Sequence, residues 1–262
     1  MQIKPKALFF DLDGTLVDKK PYISAENKQA IIELNKNIPC FISTGRGFSK
    51  NLVNLTNELG LDYGIAQNGA IIFDKTGNII KKYTLKENTV KNICEYLAKR
   101  KVPFILNSSR TIYCNSTISK MFPLFKNEYI ISSPSKIQNY SDVTKILIFS
   151  FSKRKLQKIQ SELLELEINI NVLMTGNNKA LEINDKNASK GNANAFICSL
   201  KNIDPMKTYH IGDSMNDSTA VYYQGGVIAM KNASQELKNM AIYVGFNYKK
   251  SGVARTLDKI LK

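Results

Sequence analysis

The feature that most narrows what this chain can fold into is the stretch Ala7-Leu8-Phe9-Phe10-Asp11-Leu12-Asp13-Gly14-Thr15. Four consecutive apolar residues, bounded by Lys6 on one side and a carboxylate on the other, spell a short strand buried on both faces, the pattern of a parallel sheet. The strand delivers Asp11 and Asp13 at its C-terminal end. Open α/β sheets bind their ligands in the crevice beyond the carboxyl ends of their strands, so both acids fall where such a fold keeps its chemistry. Gly14 permits the sharp turn that follows. Two acids two residues apart can hold a hard divalent cation such as Mg2+ through oxygen. The same residues also suit a plain turn, so the rest of the chain has to decide between the two.

Residues Ser24 to Asn37 read as an amphipathic helix with Ser24 as N-cap, stopped by Pro39. Cys40-Phe41-Ile42 is a second short buried strand, and it ends in Ser43-Thr44-Gly45-Arg46. A hydroxyl, a glycine and an arginine there suit an oxyanion: the hydroxyl donates, the glycine allows close backbone approach, and the cation balances charge. Phe48 to Leu59 is a further helical pattern closed by Gly60. A strand at Tyr63–Ala66 leads into a tight turn at Asn68-Gly69, and a hairpin continues through 71–73 and 79–80.

From about Tyr83 the texture changes to an α/β unit of its own. It has a helix over 87–101, strands at 103–106 and 111–114, an irregular or helical piece at 119–127, a strong strand at 145–151, a helix at 153–166, and strands at 171–174 and 180–183. Beyond it, Asn187-Ala188-Ser189-Lys190 opens an apolar helix. A lysine at a helix N-terminus opposes the helix dipole, a cost that makes sense if an anion sits there too. An apolar strand then runs through Tyr209-His210-Ile211 into Gly212-Asp213, with Asn216 and a second carboxylate, Asp217, shortly after. Asp213 and Asp217 share a face if a helical turn follows. His210, the one histidine, reads as a structural side chain of that strand rather than a general base. Two more core strands with a helix between them complete the chain.

At 262 residues the chain is long enough for one large or two moderate domains with ample core. A hydrophobic fraction of 43% fits a soluble globular protein. No apolar run approaches the ~20 residues of a membrane span, and the N-terminus lacks a signal-peptide apolar segment, so a cytoplasmic protein with no membrane partner is expected. Cys40, Cys94, Cys114 and Cys198 stand singly in apolar contexts and read as reduced core residues. The formal net charge of +15 raises the question of nucleic acid, but its distribution argues against such a partner. Residues 83–183 carry net +7 and the remainder net +8, and only five of the cations are Arg, the side chain that specific phosphate and base recognition favours. A basic surface would still attract anionic phosphate esters.

Asp-Leu-Asp-Gly-Thr after an apolar strand resembles the first motif of the haloacid dehalogenase superfamily of phosphohydrolases. The other three motifs of that superfamily follow in order: Thr44 after the second strand, Lys190 at its helix, and Gly-Asp-Ser-x-Asn-Asp at 212–217. Asn232-Ala233 and Gly252-Val253-Ala254 resemble the tail of its Cof-type branch of sugar-phosphate phosphatases. One departure is visible, Val221-Tyr222-Tyr223-Gln224-Gly225, where that branch usually carries apolar residues and Ala-Gly.

The resemblance implies an α/β fold: a doubly wound, Rossmann-like parallel-sheet core from residues 1–82 and 184–262, with an inserted α/β cap domain at 83–183. It implies a phosphoric monoester hydrolase that acts on small phosphorylated metabolites, sugar phosphates foremost. Asp11 would be the nucleophile that forms an aspartyl-phosphate, and Asp13 the acid and then the base. Mg2+ would be held by Asp11, the Asp13 backbone carbonyl and Asp213. Thr44, Gly45, Arg46, Lys190 and Asn216 would hold the phosphoryl group, with Asp217 and Asn68 supporting them. The cap would close over the site and contribute substrate contacts, with Arg110, Tyr113, Asn115 and Glu182 as candidates. The protein would act as a monomer or homodimer. Two alternatives stay open: a phosphomutase or phosphotransferase on the same scaffold, and a non-catalytic phosphometabolite-binding protein.

Overall fold

The structure is a computed structural model that describes residues 2–18, 22–109, 111–114, 130–132, 140–167, 169–175 and 179–262. The piece expected over 119–127, and Arg110 and Asn115, lie outside the described residues. The chain gathers into two compact units, one of Met1–Arg46, Leu52–Ile80 and Ser189–Lys262, the other of Gly47–Asn51 and Lys81–Ala188.

The first unit is built on an eight-stranded sheet in the order β14-β13-β12-β1-β2-β3-β4-β5. Its pivot is β1 (Ala7–Phe10), whose four residues are all fully buried, as the unbroken apolar run predicts. On one side β1 pairs in parallel with β2 (Cys40–Ser43), which leads to β3 (Tyr63–Ala66). On the other it pairs in parallel with β12 (Thr208–Gly212), followed by β13 (Val227–Ala229) and β14 (Tyr243–Val244). The strand order therefore reverses between β1 and β12, and that reversal opens the crevice in which ligands of doubly wound sheets bind. β4 (Ile71–Asp74) runs antiparallel to β3, and β5 (Ile79–Lys82) is the far edge.

Helix α5 (Lys190–Leu200) lays Ala193, Ile197 and Cys198 on a face formed by Ala7, Phe9, Phe41, Ile65 and Ile72. Phe9 and Phe41 pack ring against ring at 5.0 Å. Burial of each such ring stabilises the fold by roughly 1.5–3 kcal/mol. Of the remaining helices, α1 (Ala25–Asn35) packs on α7 (Gly252–Leu261), and α6 (Gln235–Met240) packs on β13. Helix α2 spans Lys50–Glu58, shorter than the expected 48–59.

The second unit holds a six-stranded sheet in the order β10-β11-β9-β6-β7-β8: β6 (Phe104–Ser108), β7 (Thr111–Tyr113), β8 (Ile130–Ser132), β9 (Lys145–Phe149), β10 (Ile170–Thr175) and β11 (Ala180–Asp185). It is antiparallel throughout except for the β7–β8 pair. Alternate residues of its strands, such as Ile146, Ile148, Leu181 and Ile183, pack under Val90, Ile93 and Leu97 of α3 (Glu87–Lys99) and Leu156, Ile159 and Leu163 of α4 (Lys153–Leu166). The whole is an α/β fold with a parallel-dominated central sheet and a second sheet.

One local expectation changes. Asn68-Gly69 is not a two-residue hairpin turn; Gln67–Gly69 forms a single 3-10 turn in which Gln67 and Asn68 both take left-handed backbone, at φ 52° and 56°. Bonds from elsewhere hold it there: Gln67 N–H donates to the Arg46 carbonyl at 2.8 Å and Asn68 N–H to the Thr44 carbonyl at 3.0 Å.

Candidate active site

The register of the sheet decides where the acids go. Phe10 pairs with Ile211 and the Asp11 N–H donates to the Ile211 carbonyl at 2.9 Å, so Asp11 leaves β1 beside the end of β12, where Asp213 follows. The turn after β1 folds back through bonds from Thr15 and Val17 N–H to the Leu12 carbonyl, with Gly14 at φ 84°. A Cβ on Gly14 would stand 2.3 Å from Asp213 Oδ2, so only glycine leaves room for that carboxylate. Asn232 fixes the same junction, donating to the Gly14 carbonyl at 2.8 Å and to Asp213 Oδ2 at 3.3 Å.

Lys190 is fully buried, and its ammonium lies 2.6 Å from Asp11 Oδ1 and 2.6 Å from Asp217 Oδ1. It occupies the first position of α5, where Ser189 caps the helix by accepting from Asn192 N–H at 3.2 Å. The anion that the sequence requires beside this lysine is thus a pair of carboxylates. Asp217 is full: Oδ1 also meets His210 Nε2 at 2.7 Å, and Oδ2 accepts from the backbone N–H groups of Asp213 and Ser214, both at 3.0 Å.

The charges follow from these contacts. Burial raises the Asp11 carboxyl to about 7 against the pull of Lys190, with Asp217 and Asp213 pushing the same way. Burial, then the charge of Asp217, raises Asp213 to about 7. At Asp217 burial also acts upward, but Lys190 and His210 outweigh it and hold the carboxylate well below its usual range. Burial disfavours the Lys190 ammonium, yet its two carboxylate partners keep it charged and raise its pKa.

Around this centre stand the other predicted residues. Thr44, just beyond β2, is buried, and its Oγ1 accepts from Arg46 N–H at 3.1 Å, which leaves the hydroxyl proton to give. Arg46 grips Asp13 with both arms of its fork, Nε to Oδ2 at 2.7 Å and Nη2 to Oδ1 at 2.8 Å. The Asn68 side chain lies against Gly45, where a Cβ would stand 2.8 Å from Asn68 Oδ1. That oxygen accepts from Asn216 Nδ2 at 2.8 Å. Loops that follow β1, β2, β3 and β12 thus converge. Asn232 and His210 join the network without having been singled out from the sequence as site residues. No spacing rule points to Asn232, and an isolated histidine in a strand carries no mark of the partner it will meet.

Carboxylate oxygens of Asp11, Asp213 and Asp217 all lie within 4.8 Å of one another. Asp217 has every lone-pair direction occupied, which leaves Asp11 and Asp213 as the acids able to ligate a cation. Both are hard oxygen donors, and in both burial, with neighbouring carboxylates adding to it, disfavours the charged form, a cost that a divalent cation would relieve. The donor set therefore fits a hard divalent cation.

Comparison with known proteins agrees with this geometry. Residues 8–257 match the family model described as haloacid dehalogenase-like hydrolase. The chain is 28% identical over 285 residues to the 5-amino-6-(5-phospho-D-ribitylamino)uracil phosphatase YwtE of Bacillus subtilis, covering 98% of each protein. It is 25% identical over 287 residues to the phosphatase YwpJ of the same organism, covering 98% of this chain and all of that one. Among solved structures, a haloacid dehalogenase-like hydrolase from B. subtilis superposes with a TM-score of 0.84 at 25% identity, over 97% of this chain and 99% of that one. A subclass IIB sugar phosphatase shares the fold with a TM-score of 0.80 at 23% identity, over 97% and 98% of the two chains. A buried carboxylate–lysine centre at the switch point of a doubly wound sheet, matched by a family model over nearly the whole chain, shows that this chain belongs to the haloacid dehalogenase-like hydrolases.

Proposed function

We propose that this hydrolase is a Mg2+-dependent phosphatase that removes phosphate from small phosphorylated metabolites, sugar phosphates foremost, through an aspartyl-phosphate formed on Asp11. It is a phosphoric monoester hydrolase that works in the cytoplasm, as a monomer or homodimer. The observation that carries the reading is the hold of Lys190 on one oxygen of Asp11 at the end of β1. One carboxylate oxygen is fixed and charge-balanced while the other remains to attack.

Phosphate monoesters resist hydrolysis because their negative charge repels nucleophiles, so the residues mainly have to position and neutralise. Asp11 attacks phosphorus, and the bond from phosphorus to the ester oxygen breaks as Asp13 delivers a proton to the leaving oxygen. A water then attacks the aspartyl-phosphate, Asp13 takes the proton from it, and inorganic phosphate leaves with Asp11 restored. The Thr44 hydroxyl, the Gly45 backbone, Arg46, Lys190 and Asn216 hold phosphoryl oxygens, while Asp217 and Asn68 support Lys190 and Asn216. Mg2+, held by Asp11, Asp213 and the Asp13 backbone carbonyl, would supply the positive charge that lets a carboxylate approach an anionic ester. We read the second unit as the inserted cap, with Tyr113 and Glu182 as candidates for substrate selection.

The test is phosphate release from a panel of sugar phosphates, a generic aryl phosphate and 5-amino-6-(5-phospho-D-ribitylamino)uracil, the last taken from the name of a relative. Turnover is expected to require Mg2+, to stop in EDTA, and to fall by about 10⁴-fold or more in Asp11→Asn. No release from any ester by protein shown to bind Mg2+ would overturn the phosphatase reading, and product analysis would separate hydrolysis from transfer to a second sugar hydroxyl.

A further inference from the structure

His210 is fully buried inside β12. Its Nε2 lies 2.7 Å from Asp217 Oδ1, and its Nδ1 lies 3.2 Å from Asn194 Nδ2. Which nitrogen carries the proton follows from neighbours that have no choice. The Pro205 carbonyl can only accept, and the Thr208 hydroxyl donates to it at 2.8 Å. With its proton committed, Thr208 Oγ1 can only accept, and Gln224 Nε2 donates to it at 2.8 Å. Gln224 therefore turns its amide oxygen towards Asn194, whose Nδ2 donates to it at 2.7 Å. The second N–H of that same nitrogen faces His210, so Nδ1 must present a lone pair. The imidazole proton is left on Nε2, directed at Asp217.

All five residues of this chain, Thr208, Gln224, Asn194, His210 and Asp217, are buried. At its far end lies Lys190, which shares Asp217 Oδ1 with His210 and bonds Asp11. Two backbone N–H groups hold Oδ2 while Lys190 and His210 share Oδ1, so loss of the His210 donor leaves Oδ1 to an ammonium on a flexible stem. Gln224 belongs to the stretch where this sequence departs from the apolar pattern of its resembled branch, so the departure supplies the group that orients Asn194.

We infer that His210 is a positioning residue: as a neutral Nε2–H donor, its tautomer set by Thr208, Gln224 and Asn194, it fixes the Asp217 carboxylate and through it holds Lys190 on the nucleophile. This rests on the reading of Asp11 and Lys190 as working parts of a phosphatase. A role in packing alone would be met by any side chain that fills the space, whereas positioning requires an N–H at the place of Nε2.

The chain has one histidine, so a long-range 1H–15N spectrum of uniformly labelled protein contains a single imidazole and reads its tautomer directly. The neutral Nε2–H form is expected near pH 7; the Nδ1–H form would overturn the inference. The same metal-loaded protein is then assayed beside His210→Gln and His210→Asn. The glutamine amide reaches the Nε2 position, and kcat per folded molecule is expected to stay within about threefold of native. Asparagine reaches only the Nδ1 position, and kcat is expected to fall by about ten- to a hundredfold, the range set by one hydrogen bond to a charged group, with KM changed much less. Should His210→Asn not fold, His210→Leu, which fills the space without an N–H, is measured in its place with the same expected loss. Full activity in a folded His210→Asn or His210→Leu, beside an active native protein, would overturn this inference alone. A native protein inactive on every ester would overturn the phosphatase reading and this inference together.

Discussion

Asp11 and Asp213 are a matched pair of acids whose charged forms burial disfavours. Each ordinarily titrates at 3.8, and each is raised to about 7, chiefly by burial. A carboxyl whose folded pKa stands above its unfolded value favours folding while protonated, and that contribution is lost as pH climbs from about 4 to about 7. His210, lowered by burial, runs the opposite way up to its unfolded value, but it is one group against two. Asp217, held low, is ionised in both states across that window. Metal-free protein in EDTA is therefore expected to melt lower at about pH 8 than at about pH 5, and Mg2+ is expected to shrink the difference. A midpoint in EDTA that holds or rises over that interval would contradict the assignment. Arg46 allows a second prediction. Its fork holds both oxygens of Asp13, a geometry that lysine lacks, so Arg46→Lys is expected to lower kcat/KM by about tenfold; an unchanged value would remove the guanidinium from the site. The acids, Thr44 and Lys190 were legible in the sequence because each residue type stands at a strand or helix end where its chemistry has a use. Asn232 entered only through the resemblance of Asn232-Ala233, with no role read for it, and Asn194 and Gln224 were not legible as site residues, because strand register and helix facing alone bring their partners within reach.

At the scale of elements, the site depends on how α5 begins. Ser189 caps it by accepting from Asn192 N–H, and Lys190 is the next residue. Ser152 caps α4 in the same way, accepting from Lys155 N–H at 3.3 Å. Removal of either hydroxyl costs about 1 kcal/mol of stability. Ser189→Ala and Ser152→Ala are thus expected to shift denaturation by similar amounts, while only Ser189→Ala also lowers kcat, because it frays the turn that carries Lys190. Equal kcat in the two variants would mean that the first turn of α5 tolerates movement. Elements with a strong period could be read in advance: α4 spans Lys153–Leu166 in sequence pattern and in structure alike. The 3-10 turn at Gln67–Gly69 could not be read. Its two left-handed residues are held by carbonyls of Thr44 and Arg46, and local turn chemistry contains no trace of them.

At the scale of the molecule, the formal charge of +15 is the property most open to measurement. A net positive charge favours the approach of an anionic ester, so kcat/KM for a dianionic ester is expected to fall several-fold between about 20 mM and about 500 mM NaCl while kcat holds nearly constant. A flat kcat/KM would mean that the charge is too dispersed to steer. The change of texture near Tyr83 is plain in the sequence, whereas the assignment of Gly47–Asn51 to the second unit is a tertiary fact with no local signature. The sheet order has a further consequence, for the newborn chain. β1 is wholly apolar and fully buried, yet one of its two edges pairs only with β12, which begins at Thr208. A ribosome adding about 5–20 residues per second leaves that edge without its neighbour for roughly 10–40 seconds after β1 emerges. During that interval the strand that leads into Asp11 is a sticky half-finished ribbon, and its safe passage falls to whatever shields it while the second unit is being made.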